Sequence, residues 1–284
     1  LSNPNYKIPP IGAAVAESGI KYNNTLLEVN HLTIRFPIVT NIFGKVTKSF
    51  TAVDNISFDI KEGETLGLVG QSGCGKTTLG RSIVGLQKMN EGSIVYKGET
   101  IATPNKAYDP DYKKIIQLIF QDPYSSLHPR MRIGDAIAEP LLVHQMAQNK
   151  SARKERVIDM LEKVELPADC YNKYPHEFSG GQRQRIVIAR ALIMEPKFVI
   201  CDESVSALDV SVQAQVLNLL NDLKAEYNLT YLFISHDLRV VHYMSDRIMV
   251  MRKGCIEEIG EANNVFNHPT SDYTRQLLDA IPGK

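Results

Sequence analysis

Gly70-Gln71-Ser72-Gly73-Cys74-Gly75-Lys76-Thr77, followed by Thr78, fits the spacing G-x-x-x-x-G-K-[ST]. Glycines at these intervals let backbone N–H groups turn inward around phosphate oxygens, at the positive end of a helix that follows. In such a loop Lys76 reaches the β- and γ-phosphates of a nucleotide, and the Thr77 hydroxyl ligates Mg²⁺. The flanks supply the context this chemistry needs. Leu66-Gly67-Leu68-Val69 reads as a buried strand before the loop, and Thr77 to Leu86 as a helix after it. Cys74 sits near that helix N-terminus, which is expected to lower its thiol pKa, so that alkylation there blocks nucleotide binding and MgATP protects.

Phe198-Val199-Ile200-Cys201 is a second apolar run, and Asp202-Glu203 place two carboxylates at its end. Strand alternation points them in different directions: Asp202 holds the metal through water, and Glu203 polarises the water that attacks the γ-phosphate. A third segment, Phe178-Ser179-Gly180-Gly181-Gln182-Arg183, offers a serine able to cap the helix that follows. Its two glycines let backbone donors approach an anion.

From about Leu26 to Ile259 the chain resembles the ATP-binding-cassette (ABC) ATPases. Phe178 to Gln182 matches their LSGGQ signature, with Phe for Leu, 23 residues before Asp202. The resemblance implies that Gln121, in Ile119-Phe120-Gln121-Asp122, touches Mg²⁺ and the attacking water and senses a membrane partner. It makes Ser206-Ala207-Leu208-Asp209 a loop crossing a dimer interface, and His236, 33 residues after Glu203, the histidine that contacts the γ-phosphate. Adenine is expected to stack on Phe36, with Phe50 as the alternative. Two ATP molecules, each with Mg²⁺, would lie head to tail between two cassettes. Ser179, Gly180, Gly181, Gln182 and Asp209 of one would complete the site of the other.

Gln121 to Arg130, Ala138-Glu139-Pro140-Leu141 and Asp202 to Gln215 resemble the dipeptide, oligopeptide and nickel importers within that family. So do His268-Pro269 and Tyr273 to Leu278. His128 stands where the subfamily has Asn, and Ser271-Asp272 where it has a second His-Pro. The partners implied are two transmembrane permease subunits, a second ABC ATPase subunit and, indirectly, an extracytoplasmic solute-binding protein. The place implied is the cytoplasmic face of the cell membrane, and the cargo peptide. The short stretch after Pro282 suggests the second ATPase of a heterodimeric pair or half of a tandem fusion, and Leu1 in place of Met suggests a piece of something longer.

The elements that must position these residues are legible as alternating patterns. Leu26 to Val29, Leu32 to Phe36 and Ile56 to Ile60 read as half-buried strands, with Pro37 to Ser49 as a loop insertion. Gly92 to Ile101 reads as a hairpin turning at Lys97-Gly98. Ile133 to Leu166 reads as helix, and Val210 to Tyr227 as another. Thr230 to Ile234 is a strand leading into Ser235-His236, and Ile248 to Ile259 a last hairpin. Strands alternating with helices predict an α/β fold with an inserted helical subdomain at about residues 123–180, and the resemblance implies that its core is that of a P-loop NTPase, a mixed sheet with an antiparallel edge. The division expected is a leader over 1–25, a nucleotide-binding domain over 26–265 and a tail over 266–284.

Composition narrows the alternatives. Thirty-two Lys and Arg balance 32 Asp and Glu in 284 residues, unlike a chain built to neutralise nucleic-acid backbones. An ABC ATPase acting on DNA or ribosomes is thus the minority reading. With 43% hydrophobic residues a sizeable core is available, yet no apolar run reaches the roughly 20 residues a membrane span requires. Nor does a secretory leader open the chain. Cys74, Cys170, Cys201 and Cys255 have neither metal-site spacing nor a disulfide framework, and read as reduced thiols.

Overall fold

The computed structural model describes residues 24–40, 46–146 and 149–281. Most of the expected leader, residues 41–45 of the expected insertion, and Pro282 lie outside the described residues.

Among the described residues, ten strands form two sheets. An antiparallel sheet, ordered β2-β1-β4-β5, contains β1 (Thr25–Thr40), β2 (Val46–Lys61), β4 (Glu91–Tyr96) and β5 (Glu99–Ala102). The second sheet runs β10-β9-β3-β8-β7-β6. It comprises β3 (Thr65–Val69), β6 (Ile116–Ile119), β7 (Phe198–Asp202), β8 (Thr230–Ser235), β9 (Arg247–Arg252) and β10 (Cys255–Glu261). All its neighbours pair in parallel except β9 and β10, so the antiparallel pair sits at one edge, as the resemblance implies.

Alternation along the central strands explains why the sheet is covered on both faces. Phe198 and Ile200 of β7, with Leu232 and Ile234 of β8, join one apolar cluster. Val199, Cys201, Tyr231 and Phe233 join the other. The first cluster is shared with the antiparallel sheet and with Leu79 and Ile83 of α1 (Lys76–Ile83). The second is shared with the helices between β6 and β7 and beyond. Burying each such side chain contributes roughly 1.5–3 kcal/mol.

Just before β6 comes α2 (Tyr112–Ile115), whose Tyr112 and Ile115 pack on the first cluster; the helices between β6 and β7 are α3 (Pro123–Ser126), α4 (Ile133–Val143), α5 (Lys150–Lys163) and α6 (Gly180–Leu192). Two short 3₁₀ turns separate α5 from α6. The helical stretch expected over Ile133 to Leu166 consists of two helices: α4 stops at His144, and Asn149 caps α5 by accepting the Ala152 N–H. After β7 come α7 (Val210–Tyr227), α8 (Leu238–Met244), α9 (Ala262–Asn267) and α10 (Asp272–Asp279).

One expectation is corrected. The described parts of Pro37 to Ser49 are not a loop insertion but the continuation of the β1–β2 ladder, with Phe36 opposite Phe50, Pro37 opposite Ser49 and Val39 opposite Lys48. Pairing overrides the weak alternation there, and register shifts let Pro37 fit the ladder. The hairpin at Lys97-Gly98 forms as expected, both residues taking positive φ (47° and 82°), the signature of a type I′ turn.

Candidate active site

All the catalytic candidates sit at the carboxyl ends of parallel strands, where open α/β sheets place their ligands. β3 delivers the Gly70–Thr78 loop, β6 delivers Gln121, β7 delivers Asp202 and Glu203, and β8 delivers His236.

The loop is shaped by close approach. Gly75 has φ of 112°, and a Cβ there would lie 2.2 Å from the Ala52 carbonyl oxygen, so no other residue fits this turn. Lys76 opens α1 and is only 4% exposed. Its Nζ donates to the carbonyls of Gly70 at 2.8 Å and Gln71 at 3.2 Å, fixing the ammonium inside the loop. Ser72, Gly73, Gly75, Lys76, Thr77 and Thr78 line one wall of a pocket. Gln121 and Glu203 close it on one side, while Phe36, Phe50 and Ala52 enter from the long hairpin. Directly opposed residues of an antiparallel pair share a face, so Phe36 and Phe50 present an aromatic pair.

The two carboxylates diverge as expected, but for a different reason. Thr77 Oγ1 donates to Asp202 Oδ1 at 3.0 Å. Glu203 lies beyond the strand end with φ of 46°, a left-handed turn rather than a further step of alternation. Its N–H still bonds the Ile234 carbonyl at 2.9 Å, which anchors the turn. Its Oε2 accepts from Gln121 Nε2 at 3.0 Å and stands 3.5 Å from His236 Nδ1. A left-handed backbone costs a non-glycine residue about 1–2 kcal/mol, strain that clusters at functional sites.

Asp202 is 2% exposed. Burial pushes its carboxyl above the ordinary value, and the Glu203 carboxylate adds to this against the Thr77 hydroxyl, Arg81 and Lys76. A cation beside it would relieve that cost. The donors at hand, the hydroxyl of Thr77, the carboxylate of Asp202 and the amide of Gln121, are hard oxygens that suit Mg²⁺. Among the described residues no cluster of three or more His, Cys, Asp or Glu could hold a metal unaided.

Cys74 departs from expectation. It is buried in the core under the loop and absent from the pocket lining, and burial pushes its thiol up more than Lys76 pulls it down. Its contribution is backbone: its N–H donates to the Gln71 carbonyl, and its carbonyl accepts the Gly254 N–H at 2.9 Å.

The signature segment does not reach this pocket. Ser179 caps α6 as predicted, in a reciprocal box: its Oγ accepts the Gln182 N–H, and Gln182 Oε1 accepts the Ser179 N–H at 3.0 Å. Gly181 packs so closely on α7 that a Cβ would lie 2.3 Å from Val212. Asp209 caps α7, accepting the Val212 N–H at 3.0 Å and the Ser211 hydroxyl, which hold its carboxyl below the ordinary range. These residues therefore sit in one patch, Gly181 on Val212 and a Cβ at Gly180 only 3.6 Å from Leu208, and none of them lines the pocket of their own chain.

A family model described as ABC transporter matches residues 53–206. The chain is 50% identical over 260 residues to the oligopeptide transport ATP-binding protein OppF of Bacillus subtilis, covering 90% of this chain and 82% of that one. The chain belongs to the ABC transporter family. Its ABC cassette is 51% identical over 257 residues to OppF of Streptococcus mutans, with the same coverage. The glutathione import ATP-binding protein GsiA of Escherichia coli is 47% identical over 282 residues, although this chain spans only 44% of it. Among solved structures, the ATP-binding cassette MJ0796, a dimer in a post-hydrolysis state with ADP and Pi, aligns with a TM-score of 0.72 and 27% identity. That alignment covers 84% of this chain and 99% of the other. The ABC chain is accordingly an ATP-binding and ATP-hydrolysing cassette. No helix among its described residues is long and apolar enough to cross a membrane.

Two members of the site carry little sequence signal. Ala52 enters the pocket only because the hairpin folds over the loop. Tyr273, whose hydroxyl meets the Gln71 N–H, lies 202 residues away in the chain.

Proposed function

We propose that this cassette powers the uptake of di- or oligopeptides through a pair of transmembrane permease subunits, from the cytoplasmic face of the cell membrane. Its working unit is a head-to-tail dimer with a second ATPase subunit, fed by an extracytoplasmic solute-binding protein. The observation that carries the catalytic reading is the meeting of Gln121, Glu203 and His236 beside the Thr77–Asp202 pair and the phosphate loop. The peptide cargo rests on similarity to two OppF proteins at 50% and 51% identity.

Each residue then has a task. Lys76 sets its ammonium among the loop carbonyls, close to where β- and γ-phosphates accumulate charge. Thr77, Asp202 and Gln121 hold Mg²⁺, which supplies charge neutralisation to the phosphate oxygens. Glu203, bonded to the Gln121 amide, polarises the attacking water, and His236, 3.5 Å from Glu203, contacts the γ-phosphate. The adenine stacks on Phe36 or, alternatively, on Phe50, both of which line the pocket. Ser179, Gly180, Gly181, Gln182 and Asp209, none of which lines the pocket of their own chain, serve the nucleotide of the second cassette.

The test is gentle detergent extraction of native membranes carrying the tagged chain, mass spectrometry of what co-purifies, and uptake of labelled peptides. Two polytopic proteins, a sister ATPase and peptide uptake abolished by Lys76→Ala are expected. Soluble ribosomal or nucleic-acid partners without a permease would overturn the transport reading.

A further inference from the structure

The phosphate loop is held from outside by the end of the chain. Tyr273 Oη, on α10, accepts the Gln71 N–H at 3.3 Å. That N–H belongs to the same planar peptide as the Gly70 carbonyl, and the Gly70 carbonyl accepts Lys76 Nζ at 2.8 Å. Because a peptide bond is rigid, tilting this plane moves both groups together. The tyrosine thus grips one edge of a plate whose other edge holds the loop lysine.

Tyr273 is itself fixed. It is 4% exposed, and the Arg252 guanidinium lies 4.7 Å from the centre of its ring. Ser271 caps α10 by accepting the Tyr273 N–H at 3.2 Å. Glu258 of β10 moors the segment, accepting the N–H and hydroxyl of Thr270 at 2.8 Å each and the Ser271 N–H at 3.2 Å. A moored tyrosine aimed at one backbone N–H is a built contact, and it engages the Gly70–Gln71 peptide that starts the loop.

We propose that Tyr273 is a positioning residue for nucleotide binding: through the Gly70–Gln71 peptide it sets where Lys76 presents its ammonium to the phosphates. This rests on the reading that Gly70–Thr78 cradles nucleotide. The contact leaves Gln121, Glu203 and His236 untouched, so it governs how tightly ATP is held and not how fast it is cleaved.

Tyr273→Phe tests this in the full chain, because it keeps the ring and the Arg252 contact and removes only the acceptor. One hydrogen bond changes an equilibrium by about 2- to 10-fold. ATP affinity and KM are therefore expected to weaken by that factor, with kcat unchanged, the unfolding midpoint lowered only by the loss of one hydrogen bond, and faster deuterium exchange at the Gln71 amide. Unchanged affinity overturns the proposal. So does a fall in unfolding midpoint with kcat lost in step, which marks a merely structural residue. Lys76→Ala separates the two readings: if it keeps full ATP affinity, the nucleotide cradle itself is wrong and the proposal falls with it. If it loses ATP while Tyr273→Phe does not, only the role of Tyr273 falls.

Discussion

Gln121 Nε2 donates to Glu203 Oε2 at 3.0 Å, although 82 residues separate the two in the chain. The carboxylate proposed to polarise water thus bonds the residue that leads from β6 into the helical stretch. A displacement of Gln121 would reach that carboxylate through this bond. Misplacing a catalytic group by about 1 Å can cost about 10²-fold in rate. Gln121→Ala is expected to lower kcat by up to that factor while ATP still binds. Steady-state kinetics check this, and a change confined to KM would count against the orienting role.

Asp202 gives a pH-linked prediction. Its folded carboxyl lies above its ordinary value, so the native state binds a proton more tightly than the unfolded chain does. Stability from this group is present below the ordinary carboxyl pKa and is lost as pH rises through the folded value. At neutral pH the buried charge is therefore a cost. Asp202→Asn removes the charge and keeps an oxygen for Thr77, so without metal it should melt higher than the wild type. It should hydrolyse no ATP. Thermal melts at pH 7 with and without Mg²⁺ decide the matter; a variant that melts lower without metal contradicts it.

Phe36 and Phe50 face each other across the hairpin beside the loop. Stacking of a base on an aromatic ring is worth about 1–3 kcal/mol, or roughly 5- to 150-fold in affinity. Phe36→Ala is expected to lose ATP affinity within that range. Phe50→Ala should lose less, since Phe50 is 52% exposed. Neither should alter affinity for inorganic triphosphate. Titration with both ligands checks the assignment, and equal losses for both would place the rings away from the base.

Ser179 has a local task that can be separated from its proposed one. Removing a helix N-cap costs about 1 kcal/mol, so Ser179→Ala should lower stability slightly. Ser179→Arg should leave ATP binding by the single chain intact yet abolish hydrolysis, because the residue lies outside its own pocket. Loss of binding in the monomer would sink the trans role.

The phosphate loop, the Asp202-Glu203 pair and the Ser179 cap were legible because each is set by contiguous residues and local backbone geometry. Both central strands were legible because Phe198 to Cys201 and Thr230 to Ile234 are apolar on both faces. The strand β6 was not, being four residues long with Gln117 in its middle. The ladder beyond Phe36 was hidden because Pro37 reads as a break, and only pairing with β2 overrides it. The inward-facing Cys74 was misread because the helix N-terminus is visible in sequence and burial is not. Tyr273 was out of reach for the same reason: nothing in its neighbourhood names Gln71.

The most direct test is Glu203→Gln in the presence of the permease subunits and the sister ATPase. Loss of a general base typically costs about 10²–10⁴-fold in rate. The variant should bind ATP at wild-type affinity, hydrolyse it that much more slowly and accumulate as an ATP-dependent dimer. Hydrolysis near the wild-type rate, or elution at monomer size with ATP present, would contradict the role of Glu203 and the mechanism built on it.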